Sequence, residues 1–409
     1  MSSTDNTTTD DAYDHLLAVK DFEVAAKKFL PHCVFEYLRG GTEDEVTLSA
    51  NRSAFDLVGF RPRGLCDVSE RTQVVDIWGK RYASPIGIAP TGVAGIVRHD
   101  CDAMLAQETA QANVPFIISG ASNVPLERLA RLNPDSWYQG YFPGDREQIS
   151  KITQRLAAAG INTIVLTIDT CVGANRENNM RNHFTIPFKL SPRVLLDGVT
   201  HPAWLIQVFA RTLIKSGVPR FVNMYGENGP MITESTPGGF RAGRDRLSWE
   251  DLKWLRSQWK GRLVVKGVMH PADAKLAAEI GVDAMIVSNH GGRQLDAAIS
   301  SFQALPEVIA QIPASIPVFL DGGIRRGSDV LKALALGAKL VFMGRPTLYG
   351  AAVGERPGIR RVLNILMSEI DRNLALLGCR QLSDVSPDLL QYISAPRINI
   401  DINNKGDNR

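Results

Sequence analysis

Asp283-Ala284-Met285-Ile286-Val287-Ser288-Asn289-His290-Gly291-Gly292-Arg293-Gln294-Leu295-Asp296 is an apolar β-run that breaks off into a polar, glycine-rich segment. Such a break sets side chains on the end of a rigid strand, and here they are an imidazole and a guanidinium. His290 can take a proton near neutral pH, and Arg293 can grip a carboxylate with two parallel bonds. The pair fits removal of a proton beside a carboxylate. It also fits a core histidine bonded to backbone next to a surface arginine, so the rest of the chain decides.

Runs of the same kind recur at 86–90, 114–120, 136–141, 163–169, 263–268, 317–323 and 340–345, each followed by an amphipathic helical stretch. With 283–289 they make eight βα units, which predicts an α/β fold, a (β/α)8 TIM barrel whose chemistry sits at the C-terminal strand ends. An N-terminal helical lead-in precedes the barrel. Its first helix is expected from Phe22 to Lys28. Its second, carrying Tyr37, opens at Pro31 and stops at Gly40-Gly41. A third is expected after Thr42-Glu43-Asp44-Glu45, which has the Thr-x-x-Glu spacing of a capping box. The lead-in is read as reaching Val75.

The fourth unit carries a long insertion, about 170–262, far above the usual βα connection length. Near its end Ser248 and Asp251 should open a helix that buries Leu252, Leu255 and Trp259. Its middle, 203–216, holds Trp204, Ile206, Val208, Phe209, Leu213 and Ile214 with Arg211 and Lys215 between them. That stretch is too short to span a bilayer; it suits an interfacial helix or a helix packed on the barrel or on another subunit. Residues 1–14 are read as a disordered tail, 15–395 as one barrel domain and 396–409 as a C-terminal tail.

With 409 residues, 44% hydrophobic and 22% charged, the chain can bury a large core. A net charge of +3 without a basic, aromatic-interleaved run does not suggest nucleic acid. Cys33, Cys66, Cys101, Cys171 and Cys379 are scattered with no CxxC pair, which argues against a disulfide framework or a zinc site and for a reducing, cytoplasmic setting; no metal is expected. The first residues lack an apolar core and do not read as a signal peptide.

The strand ends collect polar groups. Asp321-Gly322-Gly323-Ile324-Arg325 and Gly344-Arg345 close the seventh and eighth runs, the usual phosphate site of such barrels, where glycines admit backbone N–H groups to an anion and arginines add charge. Lys266, ending the fifth run, could stabilise a ligand gaining negative charge or simply cap its strand. Asp169, ending the fourth, stands level with His290 and could orient its ring. Arg176 and Arg293 offer two guanidiniums for one carboxylate, with Tyr37 and Tyr141 as hydroxyl donors.

On these residues the chain resembles the FMN-dependent 2-hydroxy-acid oxidase and dehydrogenase family, from about Phe22 to Gln391, the 288–296 stretch being highly specific. The resemblance implies FMN as the phosphorylated ligand. It implies His290 as catalytic base with Asp169 as its partner and Tyr141 beside it, and Tyr37, Tyr141, Arg176 and Arg293 as substrate contacts. Pro90, Thr91, Gly92, Ser119, Gln139, Thr167, Lys266 and Ser288 are implied as ring and ribityl contacts, and Asp321, Gly322, Gly323, Arg325, Gly344 and Arg345 as the ribityl and phosphate grip. An L-2-hydroxy acid would become a 2-oxo acid, with electrons going on to a quinone or other carrier, or to oxygen. Two positions depart from relatives: Gly140 replaces a bulkier apolar residue, and Ala121 replaces the tryptophan of plant glycolate oxidases, enlarging the site for mandelate-like substrates. Residues 204–214, with Leu196-Asp197-Gly198 and His201-Pro202, resemble the membrane-associated mandelate-oxidising branch. Peripheral attachment to the inner face of the cell membrane and a homotetramer are the matching expectations. A redox-inactive barrel acting on a phosphorylated metabolite is the rival reading.

Overall fold

A computed structural model describes residues 11–189, 191–224, 229–235 and 242–393. The eight runs become β1 (Ile86–Ile88), β2 (Ile117–Ser119), β3 (Trp137–Gly140), β4 (Thr163–Thr167), β5 (Arg262–Val268), β6 (Ala284–Val287), β7 (Val318–Asp321) and β8 (Leu340–Met343). They form one parallel sheet in the order β1-β8-β7-β6-β5-β4-β3-β2, and a parallel bridge between Ile88 and Phe116 brings its two edges together. The fold class expected from the eight runs is the one observed. Most strands stop short of the apolar runs because their last residues leave the ladder to face the cavity at the C-terminal end.

Both faces of the sheet are buried, which is why the runs read as continuously apolar. Ile117, Val165, Val264, Ile286, Phe319 and Phe342 fill the barrel. Their neighbours Ile118, Ile164, Val265, Val287, Leu320 and Val341 meet the outer helices. Each such large side chain contributes about 1.5–3 kcal/mol by leaving water. The N-terminal mouth is stoppered by a hairpin, Val75–Ile77 with Lys80–Tyr82, whose Trp78 packs on Trp137 at 5.4 Å and Phe319 at 6.0 Å. Nothing local in the sequence marks this hairpin as the barrel's plug, because its partners lie on β3 and β7.

The lead-in supplies α1 (Val19–Phe29), α2 (His32–Arg39) and α3 (Val46–Asp56). Pro31 and Gly40 bound α2 as expected. The capping box does not form: Glu45 is itself the N-cap of α3, in left-handed backbone at φ 60°, and bonds Gly41 and Arg39 instead. The cap comes from far along the chain, because Asp296 accepts from the backbone N–H of Thr47 and Val46. Within the expected N-terminal tail, Asp11–Tyr13 form a 3-10 turn, and Asp14 pairs with Arg361 at 3.2 Å. Residues 1–10 and 396–409 lie outside the described residues.

The insertion folds over the barrel mouth. Pro192–Val199 is followed by Pro202–Trp204, which continues through a π-helical turn, Leu205–Ala210, into Arg211–Ser216. Asp197 caps α2 by accepting from His32 at 2.9 Å and Cys33 at 2.8 Å. Trp204 donates to the Ile96 carbonyl at 2.8 Å, and Arg98 holds Gln207 at 2.7 Å, so one side of this helix is fixed to the loop after β1. The helix expected after Ser248 is Trp249–Gln258; Ser248 bonds Asp251, and Leu252, Leu255 and Trp259 are buried.

Candidate active site

The C-terminal strand ends surround one cleft of about 730 Å³. Its walls include Tyr37, Pro90, Thr91, Gly92, Tyr141, Thr167, Arg176, Lys266, His290, Arg293, Asp321, Gly322, Gly323, Arg325, Gly344 and Arg345. The remaining expected residues stand directly behind that wall. Ser119 meets Gln139 at 3.4 Å and Gln139 donates to Thr167 at 2.9 Å; Ser288 accepts from Lys266 at 2.7 Å; Asp169 backs His290. The topology thus gathers every expected site residue at one end of the barrel.

His290 follows β6 in left-handed backbone at φ 59°, and Gly291 and Gly292 continue in that region. Three such residues in a row make a tight turn, and a non-glycine held there marks a position that its surroundings impose. A side chain at Gly292 would collide with the backbone of Leu48 in α3. The turn aims the imidazole back over the cleft.

There Nδ1 lies 3.0 Å from Asp169 Oδ1, which fixes the proton on Nδ1 and leaves the lone pair of Nε2 facing the Tyr141 hydroxyl at 3.4 Å. Burial lowers the pKa of His290 against the pull of Asp169, so the ring is neutral and basic near pH 7. Burial also opposes the charge on Asp169, but His290 and Lys266 outweigh it and hold the carboxylate ionised. An imidazole that has gained a proton therefore has an anion beside it.

The two arginines converge on the same space. Arg293 places Nη1 on the carbonyls of Tyr37 and Gly40 at 2.8 and 2.7 Å, which leaves Nη2 and Nε to meet a ligand, and its guanidinium lies over the Tyr37 ring at 5.0 Å. Arg176 bonds the Arg293 carbonyl and the Gln294 side chain, both at 3.1 Å. Burial, then the Arg176 charge, pushes Arg293 down to about 9, the condition of a cation lacking an anion. A carboxylate would relieve it.

On β5, the strand paired with β6, the buried Lys266 pairs with Asp321 Oδ2 at 2.9 Å. Burial lowers the lysine pKa, yet Asp321 and Asp169 more than compensate and keep it a cation. Asp321 Oδ1 is buried without a hydrogen-bond partner among the described residues and belongs to the cleft wall, so it offers an acceptor that a polyol hydroxyl would satisfy. Beyond it lie Gly322, Gly323, Arg325 and Gly344, the last opening the helical stretch Arg345–Leu377. Such a helix start with adjacent cations suits a phosphate. Arg345 is more occupied than expected: Nε and both Nη groups bond the carbonyls of Leu38, Gly291 and Gly40 at 3.0 Å, so it clamps α2 to the histidine turn and lends the phosphate chiefly its charge. Polyol acceptor, buried cation and phosphate cradle in one cleft fit FMN. Among the described residues no three His, Cys, Asp or Glu side chains are placed to hold a metal.

Sequence reasoning missed the third wall. Val93, Phe221, Met224 and Ile232 form an apolar cluster, with Ala121, Tyr141, Ile186 and Phe188 packed on it, and Arg244 stands nearby. Much of this wall comes from the insertion, where no local spacing announces it. Gly140 also finds its reason: a Cβ there would lie 2.4 Å from Phe142, whose buried ring already fills the space.

The family model described as FMN-dependent dehydrogenase matches residues 26–392. The (S)-mandelate dehydrogenase of Pseudomonas putida is 39% identical over 92% of this chain and 94% of its own. L-lactate oxidase from Nostoc sp. is 36% identical over 90% of this chain and 96% of its own, and human 2-hydroxyacid oxidase 2 is 35% identical over 92% and 99%. Among solved structures, that of a monotopic membrane protein, (S)-mandelate dehydrogenase, superposes with a TM-score of 0.84 at 38% identity, covering 92% of this chain and all of the other.

Proposed function

The chain belongs to the FMN-dependent dehydrogenase family and oxidises 2-hydroxy acids with FMN, and we propose that its substrate is an L-2-hydroxy acid with an aromatic or large aliphatic side chain, mandelate foremost. The observation that carries this reading is the line Asp169–His290–Tyr141 set beside Arg176 and Arg293, with an apolar chamber adjoining it.

FMN would be held by Lys266, Ser288, Thr167, Gln139, Ser119 and 90–92 along its ring and ribityl chain, and by 321–325 with 344–345 at its phosphate. Bound FMN supplies the two-electron acceptor. The chain supplies the rest. Arg293 Nη2 and Nε with Arg176 orient the substrate carboxylate, a desolvated bidentate grip worth roughly 1.5–3 kcal/mol. Tyr37 walls that grip through its ring. The substrate hydroxyl lies between the Tyr141 hydroxyl and His290 Nε2, where Tyr141 donates a hydrogen bond and Nε2 takes the proton that the substrate loses. Asp169 then stabilises the imidazolium. Ala121, Val93, Ile186, Phe221 and Met224 receive the side chain and keep water from it.

Anaerobic bleaching of the bound flavin by glycolate, lactate, mandelate and longer 2-hydroxy acids tests the reading directly. Mandelate should reduce it with the highest kcat/KM. A flavin that only glycolate reduces would exclude the bulky-substrate reading, and a colourless protein would favour the redox-inactive barrel.

We further propose attachment to a membrane surface, which the outer side of the insertion supports, with a quinone or other carrier as electron acceptor. Leu196, Val199, Ile206 and Ile214 are 63–80% exposed, with Arg193, Arg211 and Lys215 among them. Among the described residues no helix is long and apolar enough to cross a membrane, so contact would be in the interface plane. A homotetramer is the second element of this reading, and burial of the same apolar side chains between subunits is the alternative use of that face.

A further inference from the structure

Arg244 was not singled out by the sequence, and neither substrate carboxylate nor flavin phosphate has been assigned to it. It opens the 3-10 turn Arg244–Arg246 at the end of the insertion and is only 8% exposed. Its guanidinium lies over the ring of Tyr141, 4.5 Å from the centroid, and its Nη2 points at the sulfur of Met224 at 3.4 Å. The turn is stitched to the loop that carries Tyr141, since Gly144 donates to the Gly243 carbonyl at 2.7 Å. At the tip of the same ring, the Tyr141 hydroxyl lies 3.4 Å from His290 Nε2. Four side chains, Arg244, Tyr141, His290 and Asp169, therefore stand in one contiguous line.

We infer that Arg244 is a positioning residue for the oxidation: its cation on the face of the Tyr141 ring fixes the ring plane and strengthens the phenol as a hydrogen-bond donor to the substrate oxygen. The inference rests on the proposed role of Tyr141 and His290. A cation over an aromatic face is attracted by the ring quadrupole and draws electron density from the ring, and the effect grows when both are out of water. The phenol itself responds in that sense: burial raises the Tyr141 pKa, and the charge of Arg244, ahead of that of Lys266, pulls it back. The donor is thus kept protonated yet polarised, and its hydrogen bond tightens as charge builds on the substrate oxygen. Because Arg244 arrives from the insertion, the segment covering the barrel mouth also sets the geometry of the reacting groups.

The experiment is a double-mutant cycle on the FMN-loaded enzyme, using whichever 2-hydroxy acid reduces the wild type fastest. Arg244→Met keeps the volume and removes the charge. It should lower kcat by about tenfold, while KM and the calorimetric Kd of the matching 2-oxo acid stay within about twofold. Arg244→Lys should recover most of the loss. In a Tyr141→Phe background, which has no hydroxyl to polarise, Arg244→Met should change kcat by less than about twofold. Equal losses in both backgrounds overturn the inference, as does an effect confined to KM and Kd, which would make Arg244 a direct substrate contact. Should Arg244→Met fail to retain FMN, Arg244→Lys against Arg244→Gln makes the same comparison, and equal rates for that pair overturn it. A wild type reduced only by small acids counts against the substrate reading and leaves the cycle interpretable.

Discussion

The carboxylate of Asp296 accepts the backbone N–H of Thr47 at 2.8 Å and of Val46 at 3.3 Å, so the segment that carries the base caps a lead-in helix some 250 residues earlier. α3 returns the hold: the side-chain amides of Asn51 and Asn289 bond each other reciprocally at 2.8 and 2.9 Å, one residue before His290. The strained histidine turn is thus clamped from both flanks. Asp296→Ala should destabilise the fold by about 0.5–2 kcal/mol and lower kcat through a looser His290, read by thermal unfolding and turnover. Burial disfavours the Asp296 charge, but the bonds from Thr47, Ala297 and Val46 hold its pKa below the usual range. Its contribution is therefore present above about pH 4 and is lost as pH falls through the depressed value. A variant as stable and active as wild type at pH 7 would contradict the clamp.

His290→Gln should retain FMN and lose about 10²–10⁴ in kcat. For wild type, kcat/KM should fall as pH drops through a value below the ordinary imidazole pKa of about 6.5, because burial lowers that of His290. Asp169 raises it, so Asp169→Asn should move the inflection to still lower pH while reducing kcat. An inflection moving upward in that variant would show that the pairing has been read with the wrong sign.

Arg293→Met and Arg176→Met should weaken substrate and 2-oxo acid binding by roughly one to two orders of magnitude, the scale of a charged hydrogen bond, with flavin affinity changed much less. Titration of a 2-oxo acid against flavin absorbance separates the two. Loss of flavin alone would place the carboxylate site elsewhere.

Ala121 lines the apolar chamber with Val93 and Phe221. Ala121→Trp fills it, and overpacking alone costs about 1–3 kcal/mol, so the ratio of kcat/KM for mandelate to that for glycolate should drop by about tenfold or more. An unchanged ratio would mean that large side chains lie elsewhere.

Ile206→Glu with Ile214→Glu should move the protein from the membrane pellet to the supernatant, since both side chains point outward and charge is costly at an apolar interface. Turnover with a soluble acceptor should persist. If the wild type is already soluble and the double variant instead falls apart into monomers, the face is a subunit contact.

Much of this enzyme could be read along the chain. Continuous apolar runs betray strands buried on both faces, Pro31 and Gly40 bound α2 by their own backbone limits, and His290, Arg293, Asp321 and Lys266 end their strands where a barrel keeps its chemistry. These are local signals, written in a few consecutive residues. Tertiary structure alone decided that Asp296 rather than Thr42 caps α3, that Trp78 stoppers the barrel, that Arg345 spends its bonds on α2 and the histidine turn, and that Arg244 lies on Tyr141. In each case the partner is chosen by which surfaces meet when the barrel closes and the insertion folds back over it. No spacing within one segment can encode a contact made between distant segments.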